Sequence, residues 1–331
     1  MATTTTPTMT MAKALNEGLR RAMEKDPKVL LMGEDIGKLG GVFRITDGLQ
    51  KDFGQDRVID TPLAESAIVG TAVGLAIRGY RPVCEMQFDG FVFPAFDQIV
   101  SQVAKLRKRS DGVYDMAVVI RLPFQGGIGA IEHHSESPES YFAHTPGLRV
   151  VSCSTPHDAY WMIQQSIESN DPIIFCEPKS RYWEKGEVDL VSPLLGLYDA
   201  LVRREGTDVT MVGYGSSVKT MLRAAEAAAA EGTSLEVIDL RAVAPVDFPT
   251  LAASLHKTGR LVVVQEAPRT ASVGSEIVAE LTERCFYSLR APAVRVAGYH
   301  VPYPPARIEE EYRPSVDRLL DAVDRVMGFE S

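Results

Sequence analysis

Glu65 opens the stretch Glu65-Ser-Ala-Ile-Val-Gly-Thr-Ala-Val-Gly-Leu-Ala-Ile-Arg78, in which no second charge occurs before Arg78. Such a helix is apolar on every face, so its first-turn carboxylate is expected to be partly desolvated, which suits proton transfer. A first-turn Glu also complements the helix dipole, and on the residues alone both readings stay open. Gln87-Phe-Asp-Gly-Phe91-Val-Phe93-Pro-Ala-Phe96-Asp-Gln98 falls where a strand ends and a helix begins, the edge at which parallel α/β sheets bind ligands. Phe91, nearest the strand end, is the candidate to stack on a planar heterocycle, while Phe93 and Phe96 are read as core. The third stretch, Pro123-Phe-Gln-Gly126-Gly127-Ile-Gly129-Ala-Ile-Glu132-His133-His134-Ser-Glu136-Ser-Pro138, follows a strand directly. Its glycines let a loop fold over a ligand, and histidine beside glutamate suits acid–base work or anion contact; a solvated surface loop accounts for them equally.

Neighbouring patterns exclude other chemistries. The glycine loop has no Lys followed by Ser or Thr and is not a nucleotide P-loop. His133 and His134 lack the i, i+4 spacing and the third ligand of a zinc site. Gly213-Tyr-Gly215-Ser-Ser217 lacks the third glycine of a dinucleotide turn, so no NAD site is expected. His144, His157, His256 and His300 stand alone and are read as structural or surface residues. Cys84, Cys153, Cys176 and Cys285 are widely spaced without a C-x-x-C pair, the pattern of buried thiols in a reducing compartment.

The elements that position these residues follow from the rhythm of the chain. Short β-branched runs at Val29–Met32, Val83–Phe88, Ala117–Arg121, Arg149–Ser152 and Ile173–Cys176 alternate with helical patterns at Met11–Glu24, Glu65–Arg78, Pro94–Arg107 and Pro156–Glu168. That alternation predicts an α/β fold with a parallel sheet and crossover helices. A polar, Pro-containing stretch from about Glu177 to Gly206 precedes a second α/β unit, with strands at Val209–Val212, Leu235–Leu240, Leu261–Val264 and Val294–Val296. Its helices are expected at Ser217–Glu231, near Phe248–Leu255, at Val273–Arg284 and at Val316–Met327. A chain of 331 residues suits two such units. Lys+Arg 35 against Asp+Glu 44 leaves a net charge of −9, so nucleic acid is not an expected partner. No apolar run suffices for a membrane span, and Met1–Thr10 lacks the features of a secretory signal. A cytoplasmic address is expected, with the mitochondrial matrix as the alternative.

Taken together, Gly33-Glu34-Asp35, Thr61-Pro-Leu-Ala-Glu65, Pro94-Ala-Phe-Asp-Gln98, His134-Ser-Glu-Ser-Pro138, Phe142-Ala-His144-Thr-Pro-Gly147, Phe175-Cys-Glu-Pro178 and Val264-Gln-Glu266 resemble the β subunit of thiamine-diphosphate-dependent 2-oxo acid dehydrogenases. The resemblance runs from about Met11 to Met327. Within it, Gln87–Gln98 and His134–Pro138 resemble the branched-chain type more than the pyruvate type. It implies a transketolase-like pyrimidine-binding domain over residues 1–180, a linker over 181–206 and a transketolase C-terminal-like α/β domain over 207–331. It also implies an α2β2 heterotetramer within a multienzyme complex, with the acyl group passed to lipoyl-lysine on a dihydrolipoyl transacylase.

Carried over position by position, the resemblance makes Glu65 the carboxylate that faces the pyrimidine nitrogen N1′. A proton shared there favours the imino tautomer, whose exocyclic nitrogen takes the thiazolium C2 proton. Phe91 would pack on the aminopyrimidine, where branched-chain relatives often carry Tyr, with Leu63 and Gln87 lining its surroundings. His134 matches the family's active-site histidine, expected at the acyl-transfer end of the cofactor, and His133 falls at a family-variable place. The chain has no Gly-Asp-Gly, so Mg²⁺ and the diphosphate are expected on the α subunit and the isolated chain is expected to be inactive. A structural K⁺ on backbone carbonyls of Ile120, Ser166, Ser169 and Asp171 is a further implication. Pyruvate or acetoin as substrate, a non-catalytic scaffold and a nicotinamide-binding dehydrogenase are the competing readings.

Overall fold

The computed structural model describes residues 6–329. The chain opens with β1 (Thr8–Thr10), α1 (Met11–Lys25), β2 (Val29–Gly33), α2 (Leu49–Phe53), β3 (Val58–Asp60), α3 (Glu65–Ile77) and β4 (Arg81–Glu85). It continues through α4 (Leu106–Arg109), β5 (Val119–Phe124), α5 (Glu139–Ala143), β6 (Arg149–Ser152), α6 (Pro156–Glu168), β7 (Ile173–Pro178) and β8 (Lys185–Glu187). The second unit holds β9 (Leu201–Arg204), β10 (Val209–Gly213), α7 (Ser217–Ala230), β11 (Leu235–Asp239), β12 (Ala242–Ala244), α8 (Phe248–Thr258) and β13 (Leu261–Pro268). It closes with α9 (Val273–Cys285), β14 (Val294–Gly298), α10 (Glu309–Tyr312) and α11 (Val316–Met327).

Two large sheets organise most of these elements, and β1 and β8 form a small third one. The first has the order β12-β6-β7-β5-β4-β2-β3 and is parallel except for β12, which runs antiparallel to β6. The second has the order β14-β13-β10-β11-β9, parallel except for β9. Every residue of β2, β5, β7, β10 and β11 is buried, as befits strands covered by helices on both faces. β12 leaves the second unit to pair with an edge of the first sheet and so ties the two units together.

Local sequence accounts for the helices that frame the first sheet. Thr10 caps α1 by accepting from the Lys13 N–H at 3.2 Å, and Met11, Leu15, Leu19 and Met23 supply a buried stripe at helical spacing. α6 starts on the Thr155 cap with Pro156 in its first turn. The two helices meet at Gly18, where a Cβ would come within 2.5 Å of Ile163 Cγ2 and 2.7 Å of the Tyr160 carbonyl. Among the described residues no helix is long and apolar enough to cross a membrane.

Several expected elements differ. The helix expected at Pro94–Arg107 is a 3-10 stretch, Asp89–Ala95, then a π turn, Gln98–Val103, then α4. Pro94 lies inside the 3-10 stretch and offers no N–H to an α-helical ladder. β4 stops at Glu85 rather than Phe88, and β5 runs Val119–Phe124 rather than Ala117–Arg121. The stretch 181–206, expected as a linker, contains β8, antiparallel to β1, and β9, antiparallel to β11. The four cysteines are free and buried, and burial pushes the Cys84 thiol up to about 12.

Candidate functional site

β3, β2, β4 and β5 are parallel neighbours, so the segments that leave their carboxyl ends share one edge of the sheet. The Thr61 N–H donates to the Gly33 carbonyl at 2.9 Å, which fixes the approach to α3 beside the end of β2. Glu65, the first residue of α3, is 7% exposed. Ile68, Val69, Ala72 and Ala76 anchor that helix, while Ala67, Thr71, Gly74 and Ile77 on its other face are exposed. Glu34, after β2, is also buried. Its burial first, then the neighbouring carboxylates of Glu65 and Asp35, raise the Glu34 carboxyl above its ordinary range. Gln87 reaches the Glu34 carbonyl and the Asp35 carboxylate, each at 3.4 Å, and so links this acidic group to the end of β4.

Aromatic rings continue the site. The His134 ring stacks on Phe88 at a centroid separation of 4.1 Å and an interplanar angle of 18°, and Phe91 stands edge-on to it at 5.2 Å. His133 is exposed, with its ring 5.3 Å from that of Phe91. Three buried polar atoms around this edge have no hydrogen-bond partner: Glu34 Oε1, Thr61 Oγ1 and His134 Nδ1. An acid pair, an imidazole and aromatic faces, with polar atoms left open, form a place where a planar, nitrogen-bearing ring can be held and exchange protons.

Buried ion pairs fix the strand ends beneath. Arg121 of β5 donates to Glu177 of β7 through Nε at 2.7 Å and Nη2 at 2.9 Å, and also pairs with Glu85 of β4. The Tyr182 hydroxyl adds a donor to Glu177 at 2.7 Å. Asp89 and Lys179 form a second, fully buried pair. Asp89 also accepts from the Glu136 N–H at 2.5 Å, which joins the turn carrying Phe91 to the loop carrying His134.

The other expected site residues lie as follows. Leu63 is 77% exposed beside Glu65. Ile120, in β5, Ser166, near the end of α6, and Ser169 and Asp171 in the turn that follows sit at the amino edge of the sheet, away from Glu65. There the carbonyls of Ile167 and Ser169 each receive Arg81 Nη1 at 2.9 Å, and the Asp171 carboxylate pairs with Arg107 and Arg149. Phe93, expected in the core, is 37% exposed and meets Tyr141 edge-on. With Tyr141, His144, His300 and Tyr303 it lines a cavity of about 500 Å³ between the two units.

The chain matches the transketolase pyrimidine-binding domain over residues 7–184 and the transketolase C-terminal domain over residues 199–319. It is 60% identical to a pyruvate dehydrogenase E1 component subunit beta of Leifsonia xyli, over 96% of this chain and 95% of that one. It is 54% identical to a 3-methyl-2-oxobutanoate dehydrogenase subunit beta of Mycobacterium tuberculosis, over 97% and 93%. The chain belongs to the 2-oxo acid dehydrogenase E1 β subunits. A split-gene transketolase solved as an inactive β4 tetramer superposes with a TM-score of 0.79 over 98% of this chain and 99% of that one, at 21% identity, and shares the fold. Within this β-subunit fold, Glu34, Phe88 and the Asp89–Lys179 pair are the site residues that the sequence left without a role. Phe88 was hidden by the expectation that β4 runs on through it, and the ion pair joins residues 90 positions apart.

Proposed function

We propose that the chain is the β half of a thiamine-diphosphate-dependent dehydrogenase that decarboxylates branched 2-oxo acids and passes the acyl group to lipoyl-lysine of a dihydrolipoyl transacylase. The observation that carries this reading is the Glu65 carboxylate, buried beside Glu34 at the carboxyl edge of a parallel sheet along which atoms of Glu34, Thr61 and His134 have no hydrogen-bond partner. Open polar atoms among aromatic rings fit an aminopyrimidine, whose ring nitrogens and amino group need such partners. Thiamine diphosphate, when bound, supplies the electron sink for loss of CO₂. Glu65 holds and returns a proton at the ring nitrogen it faces, work suited to a carboxylate kept from bulk water. Phe91 gives the ring an apolar face, with Gln87 and Leu63 at its border. His134 stands at the acyl end, where its unpartnered Nδ1 is open for proton exchange.

An α subunit completes the site in an α2β2 assembly and brings the diphosphate and Mg²⁺ contacts. Supporting this, the sequence has no Gly-Asp-Gly, and the exposed Leu63 and uncharged outer face of α3 border Glu65. The stretches Gln87–Gln98 and His134–Pro138 favour a branched-chain substrate, whereas the 60% identity to a pyruvate-type subunit favours pyruvate as the second reading.

Reconstitution with the companion α subunit tests both levels. Glu65→Gln is expected to lower decarboxylation by about 100-fold or more while assembly is retained. An unchanged rate would instead favour a non-catalytic scaffold. For the unsubstituted enzyme, kcat/KM for 3-methyl-2-oxobutanoate is expected to exceed that for pyruvate; the reverse order assigns the chain to pyruvate.

A further inference from the structure

The loop that carries His134 is closed at its neck, where the Gln125 N–H donates to the Glu136 carbonyl at 2.9 Å. From the first unit, Asp89 holds one side of that neck through the Glu136 N–H. The other hydrogen bonds that hold the neck come from the second unit. The Gly126 N–H donates to Glu266 Oε1 at 2.5 Å, and the Gly129 N–H is shared between the two Glu309 oxygens at 3.3 and 3.2 Å. Gln125 Oε1 accepts from the Ser216 N–H at 2.9 Å. Glu266 is 1% exposed and also accepts from Ser216 Oγ and Arg313 Nε, each at 3.2 Å. A Cβ at Gly126 would overlap the Tyr303 hydroxyl, and one at Gly127 would come within 2.7 Å of the Arg313 guanidinium. The loop backbone reaches these side chains because it carries glycine there.

The tip of this loop packs on the first unit through the rings of Phe88 and Phe91, while charge-assisted hydrogen bonds at the buried neck set how the backbone presents His134 to them. We propose that Glu266 is a positioning residue for His134, and that the second unit acts on the reaction by holding the neck of the histidine loop through Glu266 and, more weakly, Glu309. The proposal rests on the reading of His134 as the acyl-transfer residue. Glu65 stands on α3, which is held by the packing of Ile68, Val69 and Ala72. Loosening the neck therefore strikes acyl transfer harder than decarboxylation.

The test uses the reconstituted α2β2 enzyme carrying Glu266→Gln, with decarboxylation read by a dye oxidant and acyl transfer read on lipoyl-lysine. Acyl transfer is expected to fall at least tenfold more than decarboxylation. Amide hydrogen exchange over residues 126–137 is expected to accelerate at least tenfold relative to α3. Equal losses in the two half-reactions, or wild-type exchange in the loop, overturn the proposal. If Glu266→Gln does not assemble, Glu309→Gln, whose carboxylate accepts from the Gly129 N–H, is expected to give the same pattern at smaller size, and its absence there counts equally against it. His134→Ala in the same two assays separates the levels. Should acyl transfer survive that substitution, the reading of His134 falls, while the exchange data still decide whether the second unit holds the loop.

Discussion

Glu139 shows how one buried acid makes the join between the units sensitive to pH. It is 1% exposed, accepts from the Tyr214 hydroxyl at 2.6 Å and leaves its other oxygen without a partner. Burial, only partly offset by the Tyr214 donor, pushes its carboxyl up to about 7 from an unfolded value near 4.5. Between those values the folded chain binds the proton that the unfolded chain has lost, so this group's contribution to stability declines as pH rises through the window. The full effect is on the order of 3 kcal/mol. Glu139→Gln removes the titration, and the melting temperature of the variant relative to wild type is expected to climb from about pH 5 to about pH 7 and to level off above it. A difference that stays constant across that range would remove Glu139 from the account. The same contrast explains what was legible at this scale. Glu65 stands out in the sequence because it is the lone charge of an apolar helix, whereas Glu34 looks like any strand-end acid until the fold sets Glu65 beside it.

Between elements, Arg121 is the pin that holds the ends of β4, β5 and β7 in register under the site. It serves two buried carboxylates, Glu85 and Glu177, and is itself 1% exposed. Arg121→Met leaves both carboxylates without their cation, and a loss of about 3–5 kcal/mol is expected in chemical denaturation of the full chain. A change below about 1 kcal/mol would mean that the acids re-protonate or find water without strain. Helices with strong local signals were readable: α1, α6 and α11 begin on Thr10, Thr155 and Ser315, each accepting a first-turn N–H. Strand ends were not, because β4 and β5 stop where their neighbours stop, which is a property of the sheet. Nor were β1, β8 and β12, three-residue strands whose pairing depends on chain brought from a distance. The π turn after Pro94 likewise follows from how the Asp89–Val103 segment is held and not from its periodicity.

For the whole molecule, the decisive asymmetry is that α3 carries no charge beyond Glu65 while only one of its faces is covered. Ala67, Thr71, Gly74 and Ile77 lie exposed along the helix, flanked by exposed Leu63 and Tyr80. A helix facing water through its working life would carry charge on that side. The face also adjoins Glu65, so whatever covers it closes the site against water, and the proposed α2β2 assembly does both at once. Gly74 discriminates between fold and assembly, since a Cβ there meets nothing within 4 Å in this chain. Gly74→Glu is therefore expected to leave the chain folded but to set an unpaired carboxylate into the seam. Such a buried charge costs about 3–5 kcal/mol, which weakens association at least about a hundredfold. Co-purification with the companion subunit and mass by light scattering read the outcome. A Gly74→Glu chain that assembles like wild type would show that this face is not the seam, and the Glu65 edge would then need another way to exclude water.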